Sequence, residues 1–401
     1  MMKLGKLALT GLAALALATF MGCTSDPRQG DTKAAFIGSE KCGTCHSDEY
    51  RTWKGSLHAK MIRTPQEALL KDAGDNWAKD SKGNAGPTKG NIDSKPAAMT
   101  DIVFVVGSHW KQRYLVKNGA TGNHQFMDKQ WNTVHKQWEP YGQKNDWETQ
   151  CATCHATGYR LTSYDPANPA TQKVSMSEHN TGCESCHGPG STHAQSLGKV
   201  KLFNPAKATK EESSLVCGYC HVRKENTQFK TAQNHPREDQ PHPVVGETYK
   251  AGQDDWRKWY PDKMLIPGVL PGQPVSKNYP DTDLNNAFYL DDKAQKWNSH
   301  DARKHHEEYQ EYVQSSHYQK GVLSCSDCHS PHAVKGKVAI DPMKTCSGCH
   351  GNTYDPAKIM PGLGSTAANL FLRTHTFNKD QDRPSGPTAG GMPEPAYYYK
   401  K

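Results

Sequence analysis

The sequence predicts a mainly α fold with few regular elements and one small β-hairpin, wrapped around bound groups instead of a continuous apolar core. Three observations carry that expectation. Only 35% of the 401 residues are hydrophobic, a low share for a chain of this length. Twelve of the 13 cysteines stand in one local pattern, Cys-x-x-Cys-His, that occurs six times. Only one stretch has the β-branched and aromatic residues, broken by a turn, that mark two paired strands.

The six motifs are Cys42-Gly-Thr-Cys45-His46, Cys151-Ala-Thr-Cys154-His155, Cys183-Glu-Ser-Cys186-His187, Cys217-Gly-Tyr-Cys220-His221, Cys325-Ser-Asp-Cys328-His329 and Cys346-Ser-Gly-Cys349-His350. Two thiols one helical turn apart meet the two vinyl groups of one porphyrin. The next histidine then lies beneath the ring and ligates the iron. One match would equally suit a zinc or redox Cys-x-x-Cys followed by a stray histidine; six complete matches do not. The sequence therefore calls for six haem c groups. Their proximal iron ligands are His46, His155, His187, His221, His329 and His350. Each haem is a large flat apolar body, so the haems supply the missing core. Without them the chain is expected to be unfolded, as small metal-dependent domains are.

The remaining cysteine, Cys23, closes an N-terminal leader. Lys3 and Lys6 form a basic start, Leu7 to Met21 is an apolar run too short for a comfortable membrane span, and Gly22 precedes Cys23. Residues 1–22 read as a lipoprotein signal peptide with Cys23 as the lipidated residue. Phe20 and Met21 depart from the usual lipobox. Thr24 and Ser25 follow Cys23 in place of an acidic residue, which by analogy with lipoprotein sorting favours the outer membrane, facing the periplasm or the cell surface. Haem attachment outside the cytoplasm agrees with such a leader. The formal charge is +8, but six haems would bring roughly −12 from propionates and about +6 from ferric cores. The basic residues are needed to neutralise propionates, and a nucleic-acid partner has no support.

Taken in order, residues 23–38 read as a polar tether, and residues 39–377 as one hexahaem domain. Helix is expected from Asp48 onward after the first motif. Thr64 to Gln150 is free of motifs. Within it, Ile102–Val106, a Gly107-Ser108 turn and Arg113–Val116 read as the hairpin. Three motifs then fall in residues 151–221, with first cysteines 32 and 34 residues apart. Lys224 to Lys296 is a second motif-free insert with a Pro- and Gly-rich loop at Pro261–Pro280. Ser299 to His317 reads as helical. Two more motifs span residues 325–350, and residues 378–401 form a mobile tail. Short spacing places the haems of each group in close contact. One repeat links the ends: Glu49-Tyr50-x-x-Trp53-x-x-Ser56-x-His58 matches Glu308-Tyr309-x-x-Tyr312-x-x-Ser315-x-His317.

Fourteen histidines remain for the distal positions. His332 follows His329 by three residues and His193 follows His187 by six, so neither reaches the far face of its own haem and each should serve a neighbour. If helix continues from His46 to His58, the two lie about 18 Å apart, too far for one iron. His306 and His317 are three helical turns apart and suit two different haems. The distal set is His58, His193, His306, His317, His332 and His375, with His305 a substitute for His306 and His109 and His124 in reserve. Met61 and Met360 are the alternative axial ligands. The abundance of histidine favours paired imidazoles, which give lower potentials than a Met/His pair.

These residues resemble the multihaem c-type cytochromes of anaerobic respiring bacteria, in particular the superfamily that includes the tetrahaem electron carrier of ammonia oxidisers. The matching stretches are Cys42 to Met61, Cys154-His155-Ala-Thr-Gly-Tyr159, Cys183 to His193, and His306-x-x-Tyr309 through Ser316-His317 to Cys328-His329-Ser-Pro-His332. The resemblance also extends to outer-membrane lipoprotein cytochromes of metal-reducing bacteria. It implies parallel and perpendicular haem pairs, mainly bis-histidine ligation and an electron-transfer role in place of catalysis. Partners would be other redox proteins, such as periplasmic or outer-membrane cytochromes, or extracellular acceptors. Two alternatives stay open. One is a terminal reductase of a small oxyanion at a five-coordinate haem, a feature of some relatives. The other is a subunit of an extracellular cytochrome filament.

Overall fold

The computed structural model describes residues 34–68, 71–107, 110–141, 146–163, 173–218, 220–221, 301–302, 307–332, 342–364 and 371–377. The leader with Cys23, Ser108 and the reserve ligand His109, the whole second insert, His305, His306 and the C-terminal tail lie outside the described residues.

The first insert is more than a hairpin. Five antiparallel strands form one sheet in the order β1 (Ile62–Arg63), β2 (Ile102–Val106), β3 (Lys111–Lys117), β4 (His124–Asn132) and β5 (Gln137–Pro140). Among the described residues three further two-stranded sheets pair elsewhere. The expectation of a mainly α chain with a single hairpin is corrected accordingly. The predicted pair is present as β2 and β3, with Val105 opposite Tyr114 and Val106 opposite Arg113. The additional strand β4 hides in the sequence because His124, Gln125, Asp128, Lys129 and Gln130 interrupt its apolar residues. The turn into β5 holds no glycine. Asn132 makes it instead: its side-chain oxygen accepts from the backbone N–H of Val134 and His135, and Lys136 takes the left-handed conformation at φ 52°.

Alternation along these strands sends two sets of side chains to opposite faces. Val105, Tyr114, Val116, Met127, Trp131 and Trp138 close against Ala68, Ala73, Ala97 and Trp77 of the insert itself. Val106, Leu115 and Phe126 turn the other way, onto Trp147, Ala152, Ala156 and Tyr159. The second face thus packs on the segment that carries Cys151, Cys154 and His155. Asp80 ties the outer loop to the sheet. Burial works to raise its carboxyl, but hydrogen bonds from the Asn84 side chain and the backbone N–H groups of Trp138, Asn84 and Lys82 outweigh that and bring it down to about 2.

The motif-bearing parts are short helices. Ser39–Gly43 carries the first cysteine of the first motif and Ser47–Lys54 follows it; Cys183–His187 is the third motif and Ser191–Gln195, with His193, follows it. Lys210–Gly218 leads into the fourth, and Cys325–Cys328 and Pro342–His350 carry the last two. The region predicted as one helix up to His317 is broken: Glu308–Tyr312 ends before Ser316–Gln319 begins, and the Ser315 hydroxyl caps the second by accepting from the Tyr318 N–H.

Candidate haem-binding sites

Each described motif closes locally by helical hydrogen bonds. In the first, the His46 N–H donates to the Cys42 carbonyl at 2.9 Å; the same bond recurs from His155 to Cys151, His221 to Cys217 and His329 to Cys325. This one-turn geometry puts both thiols and the histidine on one side of the backbone, as attachment to one porphyrin requires.

The structure brings five of the motif histidines to a histidine from another segment. Ring centroids lie 6.2 Å apart for His46 and His193, and 6.3 Å for His58 and His221. They lie 6.4 Å apart for His187 and His332, 6.0 Å for His317 and His350, and 6.0 Å for His329 and His375. Two imidazoles on one iron place their nitrogens about 4 Å apart, and each ring centre lies roughly 1.1 Å behind its nitrogen, so about 6 Å is the separation an iron between them needs. Direct stacking of two rings would be closer. The separations therefore fit a haem iron between the members of each pair. Three pairs have near-parallel rings, at 23°, 17° and 35° for His46/His193, His187/His332 and His329/His375. Two are near-perpendicular, at 76° for His58/His221 and 74° for His317/His350.

Hydrogen bonds aim several of these rings. Nδ1 of His187 pairs with the Phe203 carbonyl at 2.8 Å and Nδ1 of His193 with the Val200 carbonyl at 2.7 Å. Nδ1 of His221 pairs with the Glu308 carboxylate at 3.0 Å. An engaged Nδ1 leaves Nε2 for a metal, and the outer partner fixes the ring plane. Burial holds His58, His155 and His375 down to about 4; a neutral imidazole is the form that ligates. Met61 packs against the cluster beneath the sheet, while the Met360 carbonyl accepts from Arg373. His124 bonds Glu148 through both its ring and its backbone N–H.

His155 is half-buried beside the sheet, where Arg113 on β3 bears on it electrostatically. The Arg113 guanidinium lies over the Tyr141 ring at 4.6 Å and its Nε donates to Gln130. Of the predicted distal set, His306 and its substitute His305 lie outside the described residues.

The attachment cysteines meet across segments as well. In the chain without haem, the neighbouring Cys183 thiol pushes Cys42 up, and that of Cys42 lowers Cys183 to about 7. Cys217 and Cys325 make the same contact, which raises Cys217 and lowers Cys325. Attachment points of neighbouring groups therefore touch in two places.

Some working residues escaped the sequence reading. Glu184, between the cysteines of the third motif, is 2% exposed. Its carboxylate accepts from the backbone N–H of Ile37 at 2.9 Å, Gly38 at 2.8 Å and Gly190 at 2.7 Å, and so ties the first motif's entry to the third motif's exit. Glu311 does the same for His375, whose N–H donates to it at 2.7 Å. An acidic residue inside a cysteine pair was visible in sequence, but its partners are remote.

A family model described as cytochrome c554 and c-prime matches residues 41–89 and 108–188, a range that includes the first three motifs. The dissimilatory sulfite reductase MccA of Wolinella succinogenes is 23% identical over 334 residues, covering 76% of this chain and 42% of the relative. The chain thus spans under half the length of the curated relative it matches. Among solved structures, the outer cell wall cytochrome OcwA is 19% identical with a TM-score of 0.47, covering 89% of this chain and 75% of that one. The undecahaem cytochrome from the S-layer of Carboxydothermus ferrireducens is 20% identical with a TM-score of 0.42, covering 82% and 45%. The six motifs, the ring separations and the family match together define a multihaem c-type cytochrome. Its motifs are of the kind that attach haem c.

Proposed function

We propose that the chain is a hexahaem electron conduit, held at the outer membrane by a lipid on Cys23 and serving anaerobic or extracellular respiration. The observation that carries the reading is the set of five histidine pairs at 6.0–6.4 Å, which leaves paired imidazoles to close those irons. Haem c supplies one-electron redox chemistry. The protein's own residues attach, ligate and orient it, and each ligand pair stitches two segments together. His58, from the first motif's segment, reaches His221 of the fourth. His193 from the third reaches His46 of the first. His332 from the fifth reaches His187 of the third. With the Cys42–Cys183 and Cys217–Cys325 contacts, this interlocking supports close transfer between neighbours. Among the described residues no helix is long and apolar enough to cross a membrane. Electron donors and acceptors would be other cytochromes or an extracellular acceptor.

The second reading, reduction of a small oxyanion, draws on the relative named as a sulfite reductase. Arg113 beside His155 would supply the positive charge that an anion at that haem requires. A haem count by pyridine haemochrome, followed by exposure of the holoprotein to cyanide, carbon monoxide and sulfite, separates the two. The conduit reading expects six haems and an unchanged spectrum. A haem that binds the added ligand would replace the conduit with the reductase.

A further inference from the structure

We infer that Glu308 is a positioning residue that makes the His221 haem site more reducing than the other sites whose Nδ1 partner is known; this rests on the bis-histidine reading above. Three contacts from the start of the helix Glu308–Tyr312 converge on the fourth motif. The Glu308 carboxylate faces Nδ1 of His221 at 3.0 Å. The Tyr309 N–H donates to the His221 carbonyl at 3.0 Å. The Tyr309 ring lies so close to Gly218 that a Cβ there would meet it at 2.7 Å, so glycine between the cysteines is what allows the helix to seat. Together they fix the His221 ring in position and plane.

The chemistry follows from the atom engaged. With Nε2 toward iron, Nδ1 carries the proton, and a carboxylate draws that proton further than a neutral carbonyl does. The imidazole gains anionic character and donates more strongly, which favours the ferric iron and lowers the potential. His187 and His193 donate to the carbonyls of Phe203 and Val200, so these two ligands give no such push, and the Glu311 carboxylate stands 3.9 Å from Nδ1 of His375, beyond hydrogen-bond reach. The Glu308 side chain is 24% exposed, which limits screening by water. His221 also belongs to the motif whose Cys217 touches Cys325. A more reducing site there would leave resting electrons on its neighbours and hold the His221 haem oxidised until last.

The test is a potentiometric titration of the holoprotein followed by EPR, with wild type, Glu308→Gln and Glu308→Asp. Low-spin ferric iron between near-perpendicular imidazoles gives a signal with a large principal g value, whereas near-parallel imidazoles give an ordinary rhombic signal. The His58/His221 rings, at 76°, belong to the large-g class. Glu308→Gln should move one component of that class to higher potential and leave the rhombic class in place. Glu308→Asp, which keeps the charge but withdraws it by one methylene, should give a smaller shift of the same component. If Glu308→Gln does not assemble, the Asp variant carries the test. An unchanged titration in the assembled variant, or a shift spread equally over both classes, overturns the inference. Absence of the large-g class from wild type would instead strike at the bis-histidine reading itself.

Discussion

In the sheet of the first insert, Val105, Tyr114, Leu115, Met127 and Trp131 are all within 1% of complete burial and close on apolar neighbours. In the helix Cys183–His187 the one buried side chain is a carboxylate, Glu184, and its partners are three backbone N–H groups. The first region is held by ordinary burial of apolar surface. The second is held by hydrogen bonds reaching across the chain and by whatever the cysteines and histidines bind. The expectation of a chain unfolded without haem therefore narrows to the motif-bearing segments, because the sheet has apolar packing of its own.

The largest effect should come from withholding haem. Chain made without haem attachment should lose helical structure and amide protection in the motif-bearing segments, while slow exchange persists at Val105, Tyr114 and Trp131. Hydrogen exchange read by mass spectrometry resolves the two regions. Uniform loss would show that the sheet leans on the haem segments through the face that packs on Ala152 and Ala156. A smaller effect should follow from cutting into the sheet alone. Trp131→Ala removes a ring that is 1% exposed and packed at 5.1 Å on Trp138, and should cost about 3–5 kcal/mol of local stability. The low-spin spectrum of the holoprotein should survive it, whereas parallel loss of haem and sheet would erase the distinction between the regions.

What could be read from sequence divides along the same line. Haem attachment is a local act, so the motifs are written as contiguous residues and all six were legible. So were Ile102–Val106 and its partner strand, where apolar residues run together. The strand His124–Asn132 was not, because polar side chains interleave its core residues and its exit turn rests on Asn132 in place of glycine. For the ligands, spacing alone argued that His193 and His332 serve neighbours. It had no means of saying that His193 meets His46, or that His58 crosses to His221, since those meetings depend on tertiary placement. Nothing in the sequence assigned partners to Glu184, Glu308 and Glu311, because the backbone and ring nitrogens they hold are brought to them by the fold.

Iron lying between the histidine pairs is what both regions' roles depend on. Frozen-solution EPR of the fully oxidised holoprotein, integrated by class, tests it in one measurement. The account predicts low-spin iron in two populations: three haems with rhombic signals from the pairs at 17°, 23° and 35°, and two with large-g signals from the pairs at 74° and 76°. The His155 haem adds to one of them or stands apart. A spectrum of a single low-spin class, or one in which several haems are high-spin, would contradict it.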